Sequence, residues 1–284
     1  MNRFVFTGLA CVVATSVAAF LIGRGNEKRC ADLLISKLEE AAASSNSIEA
    51  IYEIPTDLPA PVARYLRRAL PKKIYPIQAV LIEQSGALRT STSSKNWMDF
   101  SARQFVAPMA VGFVWNARVK LPFGIHILVL DSYSFGVGSG RVSLMSAFGV
   151  SSASNEPELN SGALHRYLAE SVWYPTALLP QSGVSWVSKD ERSAVATLKD
   201  HGIEVSLEFR FNDADEVIAV YSPGRYGRFD GEYRKVGWEG HFSNYREQDG
   251  FLIPGRGEVG WYDAGELQLV WKGEINSVHI QQNH

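Results

Sequence analysis

The side chains that could do chemistry in this chain are few and scattered. Asp131 follows the apolar run Ile125–Leu130, in the sequence Leu-Asp-Ser-Tyr, where a strand leaves the core. A carboxylate among apolar neighbours has its pKa raised and can act as acid or base. The plainer role is a strand-end aspartate that hydrogen-bonds a backbone turn. Arg166 and Glu170 stand four apart and, with His165, take the polar side of a helical stretch. At that spacing they can pair on one face. Held over a curved sheet, Arg166 would meet an anionic head group; on an open surface the pair is decoration.

Seven tryptophans, Trp97, Trp115, Trp173, Trp186, Trp238, Trp261 and Trp271, are spread along the body. Their ordinary place is the core. An indole N–H wants a partner, however, and such rings favour places where an apolar cavity meets a polar rim. Trp115 lies on the apolar face of an alternating run, and Tyr133 extends the run containing Ile125–Leu130. Tyr167 and Trp173 belong to the helical stretch. Trp115, Asp131, Tyr133, Arg166, Tyr167, Glu170 and Trp173 are therefore the candidate ligand-binding set, and no catalytic residue is assigned. Tyr221–Lys235, rich in Gly, Tyr and Arg, reads as a long hairpin loop.

Stronger motifs are missing. There is no nucleophile elbow, phosphate loop or HExxH pattern. Gly136-Val137-Gly138-Ser139-Gly140 has the glycine density of a phosphate cradle, but a strand pattern follows it, so it reads as a hairpin turn. The six histidines are dispersed, and the only cysteines, Cys11 and Cys30, lie near the N-terminus. No metal or cofactor is expected, and no disulfide staples the body. A net charge of −2 gives no electrostatic case for nucleic acid.

The elements that must position these residues follow from periodicity. Ala31–Ala43 and the stretch opened by Pro59 and Pro61 have helical stripes, the second through Val62, Tyr65, Leu66, Ala69 and Leu70. Ser44-Ser45-Asn46-Ser47 reads as a linker. After Pro76 the period becomes two, as in Phe113–Leu121, Ile203–Phe211 and Leu267–Ile275. Such runs, joined by short turns, predict an antiparallel meander of about ten to twelve strands, too many to stay flat. Ile125–Leu130 is apolar on both faces and should be covered twice. One helix interrupts the strands, at Leu164–Pro180; its Leu164, Tyr167, Leu168 and Trp173 should be buried and Glu170 wet. Arg64-Tyr65-Leu66 and Arg166-Tyr167-Leu168 each precede a run of strands, a faint echo between two halves. The expected fold is mainly β, a strongly curved antiparallel sheet or open barrel with a packed central helix, preceded by N-terminal helices.

Three segments carry a family resemblance: LPAPVARYLRRALP at Leu58–Pro71, LHRYLAESVWYPTALLP at Leu164–Pro180, and WKGEI at Trp271–Ile275. They resemble an uncharacterised bacterial family, a domain of unknown function, and that resemblance implies no activity. The expected architecture looks like that of lipoprotein carriers, an analogy of fold alone.

Residues Phe4–Ile22 are uncharged and mostly apolar, nearly the length of a bilayer core. We read them as an uncleaved single-pass anchor; a signal peptide cut after Ser16-Val17-Ala18 is the competing reading. The expected divisions are a membrane segment at 1–25, a helical linker at 26–57 and a β-rich body at 58–284. The body is expected outside the cytoplasm of a bacterial cell, with the cytoplasmic face as the alternative. The leading function is binding of an apolar or amphipathic envelope molecule such as a lipid. One alternative is a hydrolase or isomerase using Asp131 with central-helix residues. Another is an envelope protein-interaction module. A dry cavity would favour the first, Asp131 close to His165 or Arg166 the second, and a filled core with an exposed aromatic patch the third.

Overall fold

A computed structural model describes the backbone of residues 2–44 and 51–282, with side chains from residue 20 onward. Of the expected linker at 26–57, residues 45–50 lie outside the described residues, as do the side chains of most of the apolar N-terminal run. A single helix, α1 (Asn2–Ser44), runs through that segment and past residue 25. Among the described residues no helix is long and apolar enough to cross a membrane.

The body is one antiparallel sheet of thirteen strands: β1 (Ile77–Leu88), β2 (Met98–Ala107), β3 (Gly112–Lys120), β4 (His126–Ser134), β5 (Val137–Leu144), β6 (Phe148–Ser154), β7 (Val184–Asp190), β8 (Ser193–Asp200), β9 (Ile203–Phe211), β10 (Val217–Phe229), β11 (Glu232–Gln248), β12 (Phe251–Asp263) and β13 (Glu266–Gln282). Two meanders, β1–β6 and β7–β13, are fused because β1 pairs with β13. The order does not close, so the sheet is an open barrel with β6 and β7 at its two ends. Thirteen strands slightly exceed the expected count, and Tyr221–Lys235 is not a loop. It supplies the ends of β10 and β11, joined at Asp230 and Gly231, which take the positive φ of a tight hairpin.

Glycine lets the sheet coil. Gly86, Gly273 and Gly257 lie in register on β1, β13 and β12. A Cβ on Gly86 would strike the Lys272 carbonyl, and one on Gly273 would strike the Trp271 ring. Bare backbone at this row allows the close approach that bends the sheet.

Alternation then sorts side chains between two covered faces. On β2, Phe100, Ala102 and Val106 join the main core, whereas Phe105 and Ala107 face α1. Ala31, Leu38 and Ala42 of α1 pack there beside Val114 and Leu130. Ile127 and Val129 pack on the main core, so the run ending at Leu130 is covered on both sides. Helix α2 (Ala60–Ala69) buries the expected stripe, Val62, Tyr65, Leu66 and Ala69.

The helix between the meanders, α3 (Pro157–Glu170), packs against β4, β5, β9 and β10 and so spans the inner face. It begins a turn or two before the apolar stripe announces it. Pro157 occupies its first turn, and Asn160 spends its side chain accepting the Gly138 N–H (2.8 Å). Leu164, Tyr167, Leu168 and Trp173 are buried. Glu170, expected to be wet, keeps only 15% of its side chain accessible.

Candidate functional site

Beneath the C-terminal half of α3 lies a cavity of about 330 Å³. Five of the seven tryptophans line it: Trp115, Trp173, Trp238, Trp261 and Trp271. Register explains the gathering. Trp238 on β11 stands opposite Trp261 on β12, and Trp271 on β13 stands opposite Val259. Alternation on β3 turns Trp115 to the same face as Phe113 and Ala117. The rings brace one another through Phe100, which stacks on Trp271 (5.7 Å) and meets Trp115 edge-on (5.8 Å). Gly257 leaves room for Trp173, whose ring would lie 3.2 Å from an added Cβ. The Trp173 N–H donates to the Pro254 carbonyl (3.0 Å) and the Trp115 N–H to Gln84 (2.9 Å). With those polar edges satisfied, the rings can offer apolar faces to the cavity.

A polar chain crosses the sheet behind Trp115. Gln84 donates to Gln104 (3.1 Å), and Gln104 donates to Glu170 Oε2 (2.6 Å). Both glutamines are buried, so each amide depends on these bonds. Glu170 also accepts from Arg166 Nε (2.8 Å), and Arg166 Nη1 reaches Asp131 Oδ2 (3.1 Å). This pull from Gln104 and Arg166 is why Glu170 leaves the solvent. Burial opposes the charge on Arg166, but Glu170 and Asp131 outweigh it and hold its pKa above the ordinary value. Asp131 has its pKa raised by burial, helped by Glu170 and only partly offset by Arg166 and Arg225. About a third of its side chain (36%) remains accessible, at the cavity wall it lines.

Arg225 was not among the expected residues, yet it lines the cavity. A bulge puts it there. Ser222 pairs with Trp238 but Arg225 pairs with Val236, so Pro223 and Gly224 together insert one extra residue. That insertion reverses the alternation and turns Arg225 to the side of Val220 and Ser222. Its guanidinium lies over Trp238 (4.8 Å) and Trp261 (5.1 Å). Nε and Nη2 both donate to the Gly162 carbonyl (3.2 and 2.9 Å). Burial, with Arg166 nearby, lowers its pKa to about 10.

A second compartment of about 320 Å³ adjoins the first. It shares Asp131, Arg166, Arg225 and Trp261, and adds Ser132, Ser139, Ser151, Arg228 and Tyr233. The two arginines and Asp131 thus stand between an aromatic space and a serine-lined one.

The structure brings five of the seven expected residues to this cavity: Trp115, Asp131, Arg166, Glu170 and Trp173. Tyr133 and Tyr167 are elsewhere. The Tyr133 hydroxyl donates to Asp200 (2.6 Å) and ties β4 to the end of β8. That of Tyr167 donates to the Pro108 carbonyl (3.2 Å). His165 turns away as well: its Nδ1 bonds the Ser161 carbonyl (2.9 Å), and burial, with Arg225, lowers its pKa to about 4. The residues that sequence reasoning missed are Arg225, Gln84 and Gln104. For Arg225 the signal was Pro223-Gly224 inside an apolar run, the mark of a bulge. Among the described residues no cluster of His, Cys, Asp or Glu is arranged to hold a metal.

The sequence profile of a family described as a family of unknown function (DUF6544) matches residues 50–273, and the chain belongs to that family. No curated protein matches the chain. Among solved structures it is similar to a LolA superfamily protein from Nitrosomonas europaea, with 8% identity, TM-score 0.39, and coverage of 79% of this chain and 94% of that one. It is also similar to a beta-barrel-like protein of a domain of unknown function (DUF1849) from Brucella abortus, with 10% identity, TM-score 0.22, and coverage of 74% and 100%.

Proposed function

We propose that this member of the DUF6544 family binds a small amphipathic molecule in the tryptophan-lined cavity under α3. The observation that carries the reading is the cavity itself, lined by five indole rings with charged groups among them. A volume of about 330 Å³ has room for roughly ten water-sized groups, which suits one alkyl chain or a compact ring system. Burying ten methylenes offers ~8 kcal/mol, from which association costs of about 4 kcal/mol or more are subtracted, so the apolar body supplies part of the affinity and the head must supply the rest. In this reading residues 58–284 are the binding body. Phe4–Ile22 attaches it to a bacterial membrane, and the body lies outside the cytoplasm.

Titrating dodecanoate into the purified full-length protein, with tryptophan fluorescence as the readout, tests the binding. Saturable quenching that is lost in Val129→Phe, where a larger side chain fills the cavity, supports the reading. Unsaturable or absent quenching sinks it. A reporter fused after His284 tests the placement. Alkaline phosphatase activity is expected, and fluorescence of a cytoplasm-restricted reporter would overturn it.

One observation favours a second reading, an enzyme of the hydrolase or isomerase kind. Asp131 lines the cavity, has a raised pKa, and touches Arg166 of the central helix. A carboxyl group with a raised pKa holds its proton more tightly and can pass it to a seated ligand. If that reading holds, a bound ligand is recovered chemically changed, and Asp131→Asn stops the change while leaving binding intact. The interaction-module reading drew on a filled interior and has no such observation behind it.

A further inference from the structure

We infer that the bound molecule carries an anionic head, a carboxylate or a phosphate, and that Arg225 rather than Arg166 receives it; the inference rests on the amphiphile reading above. Arg166 is already committed. Its Nε is held by Glu170 and its Nη1 by Asp131, so its charge is matched twice. Arg225 differs on every count. No carboxylate among the described residues lies within ion-pair distance of it. Of the five N–H donors of a guanidinium, Nε and one on Nη2 are spent on a single carbonyl, that of Gly162. The guanidinium lies over the rings of Trp238 and Trp261, and its remaining donors, on Nη1 and Nη2, have no hydrogen bond among the described residues. A cation set among aromatic rings without a counter-ion is costly to keep. Its lowered pKa agrees with that cost, yet at about 10 it leaves the group charged at neutral pH. A ligand anion would supply the missing partner through charge-assisted bonds.

Position supports the same assignment. Arg225 borders both compartments, so a head at its guanidinium edge leaves an alkyl or aromatic body among the tryptophans. Polar substituents of the head would meet the serine-lined side, with Arg228 and Tyr233. The bulge at Pro223-Gly224 turns this side chain inward, where regular alternation would point it out.

The test uses one chain length and several heads, titrated into the full-length protein: dodecanoate, dodecyl phosphate and the neutral dodecanol, with inorganic phosphate as a separate arm. The anionic chains should bind about tenfold tighter than dodecanol or better. Arg225→Gln should erase that preference, bringing the anionic chains to the affinity of dodecanol measured on the same variant. Arg225→Lys, which keeps the charge and loses the planar fork, should retain part of it and guards against misfolding of the first variant. Equal affinity for dodecanol and dodecanoate, or a preference that survives Arg225→Gln, overturns the inference and leaves the amphiphile reading standing. Failure of every chain to bind removes both. Inorganic phosphate binding as tightly as dodecyl phosphate would make this a free-anion site and overturn the amphiphilic assignment.

Discussion

The two walls of the cavity solve the same problem differently. Each brings an arginine under α3, one from the helix and one from β10. On the β1–β4 wall, Arg166 meets Glu170 and Asp131, and a relay of glutamines carries the polarity back to Trp115. On the β10–β13 wall, Arg225 meets two indole faces and one carbonyl. The first wall is a closed electrostatic circuit that stabilises the fold as it stands. The second holds a charge with no carboxylate in ion-pair contact among the described residues. Buried charge is informative where the local pairing is incomplete, even when, as here, the four groups Arg166, Arg225, Asp131 and Glu170 are balanced in sum.

The largest expected effect comes from removing what joins the walls. Trp173 follows α3, donates to Pro254 on β12, and packs edge-on against Phe242 of β11 (5.7 Å). Trp173→Ala should cost roughly 3–5 kcal/mol, because a cavity already lies beside it and the site cannot collapse to fill the gap. Chemical denaturation measures this. An unchanged midpoint would mean that the ring bears no load and that the walls hold together without it.

Arg166→Met comes next. It strands Glu170 and Asp131 without their cation, and removing one partner from a buried pair costs about 3 kcal/mol. The circuit model requires that loss to be smaller in Asp131→Asn, since Asp131 is charged there only against its raised pKa. Equal losses in the two variants would show that Asp131 and Glu170 do not differ as the geometry says.

Much of the first wall was legible in the sequence, and little of the second. Arg166 and Glu170 advertise themselves by helical spacing, Trp115 by alternation, and Asp131 by ending an apolar run. Alternation cannot reveal that the Glu170 side chain is drawn inward, because Gln104, its donor, comes from a strand 66 residues away. On the second wall local pattern misleads. The composition of Tyr221–Lys235 imitates a loop, and a bulge inverts the parity by which Arg225 would be judged exposed. Tyr133 and Tyr167 have the right spacing for the inner face, but their hydroxyls are committed to Asp200 and Pro108. The fold class was readable because alternation and turns recur along the whole chain. The site was half readable because it depends on which strands curl together.

His165 sharpens the comparison by pH. It sits on α3, and its folded pKa is lowered to about 4 by burial first and by Arg225 second. The unfolded value is near the ordinary 6.5, so the stability linked to its neutral form is complete above that pH. It is lost as pH falls from about 6.5 to about 4, on the order of 2–3 kcal/mol. Asp131, with its raised pKa, works in the opposite direction over acid pH, so the difference between variants is the proper readout. His165→Gln should flatten the acid arm of a melting-temperature profile relative to the parent. Parallel profiles would show that His165 is not held neutral by its burial beside the arginine wall.

The smallest effect on stability should come from Arg225→Met, and its smallness is the point. Removing Arg166 strips two carboxylates of their ion-pair partner; removing Arg225 takes two donors from the Gly162 carbonyl and only a more distant charge from Asp131 and Glu170. The methylene stem of methionine can keep packing between Trp238 and Trp261, and its sulfur tolerates ring edges. The desolvation cost of the cation disappears at the same time. These terms oppose one another, so the net change should fall within about 1 kcal/mol of zero. A residue aimed inward by a bulge and yet dispensable for stability would have its reason in the ligand. A loss of about 3 kcal/mol, equal to that of Arg166→Met, would make the two arginines alike and give Arg225 a structural duty instead.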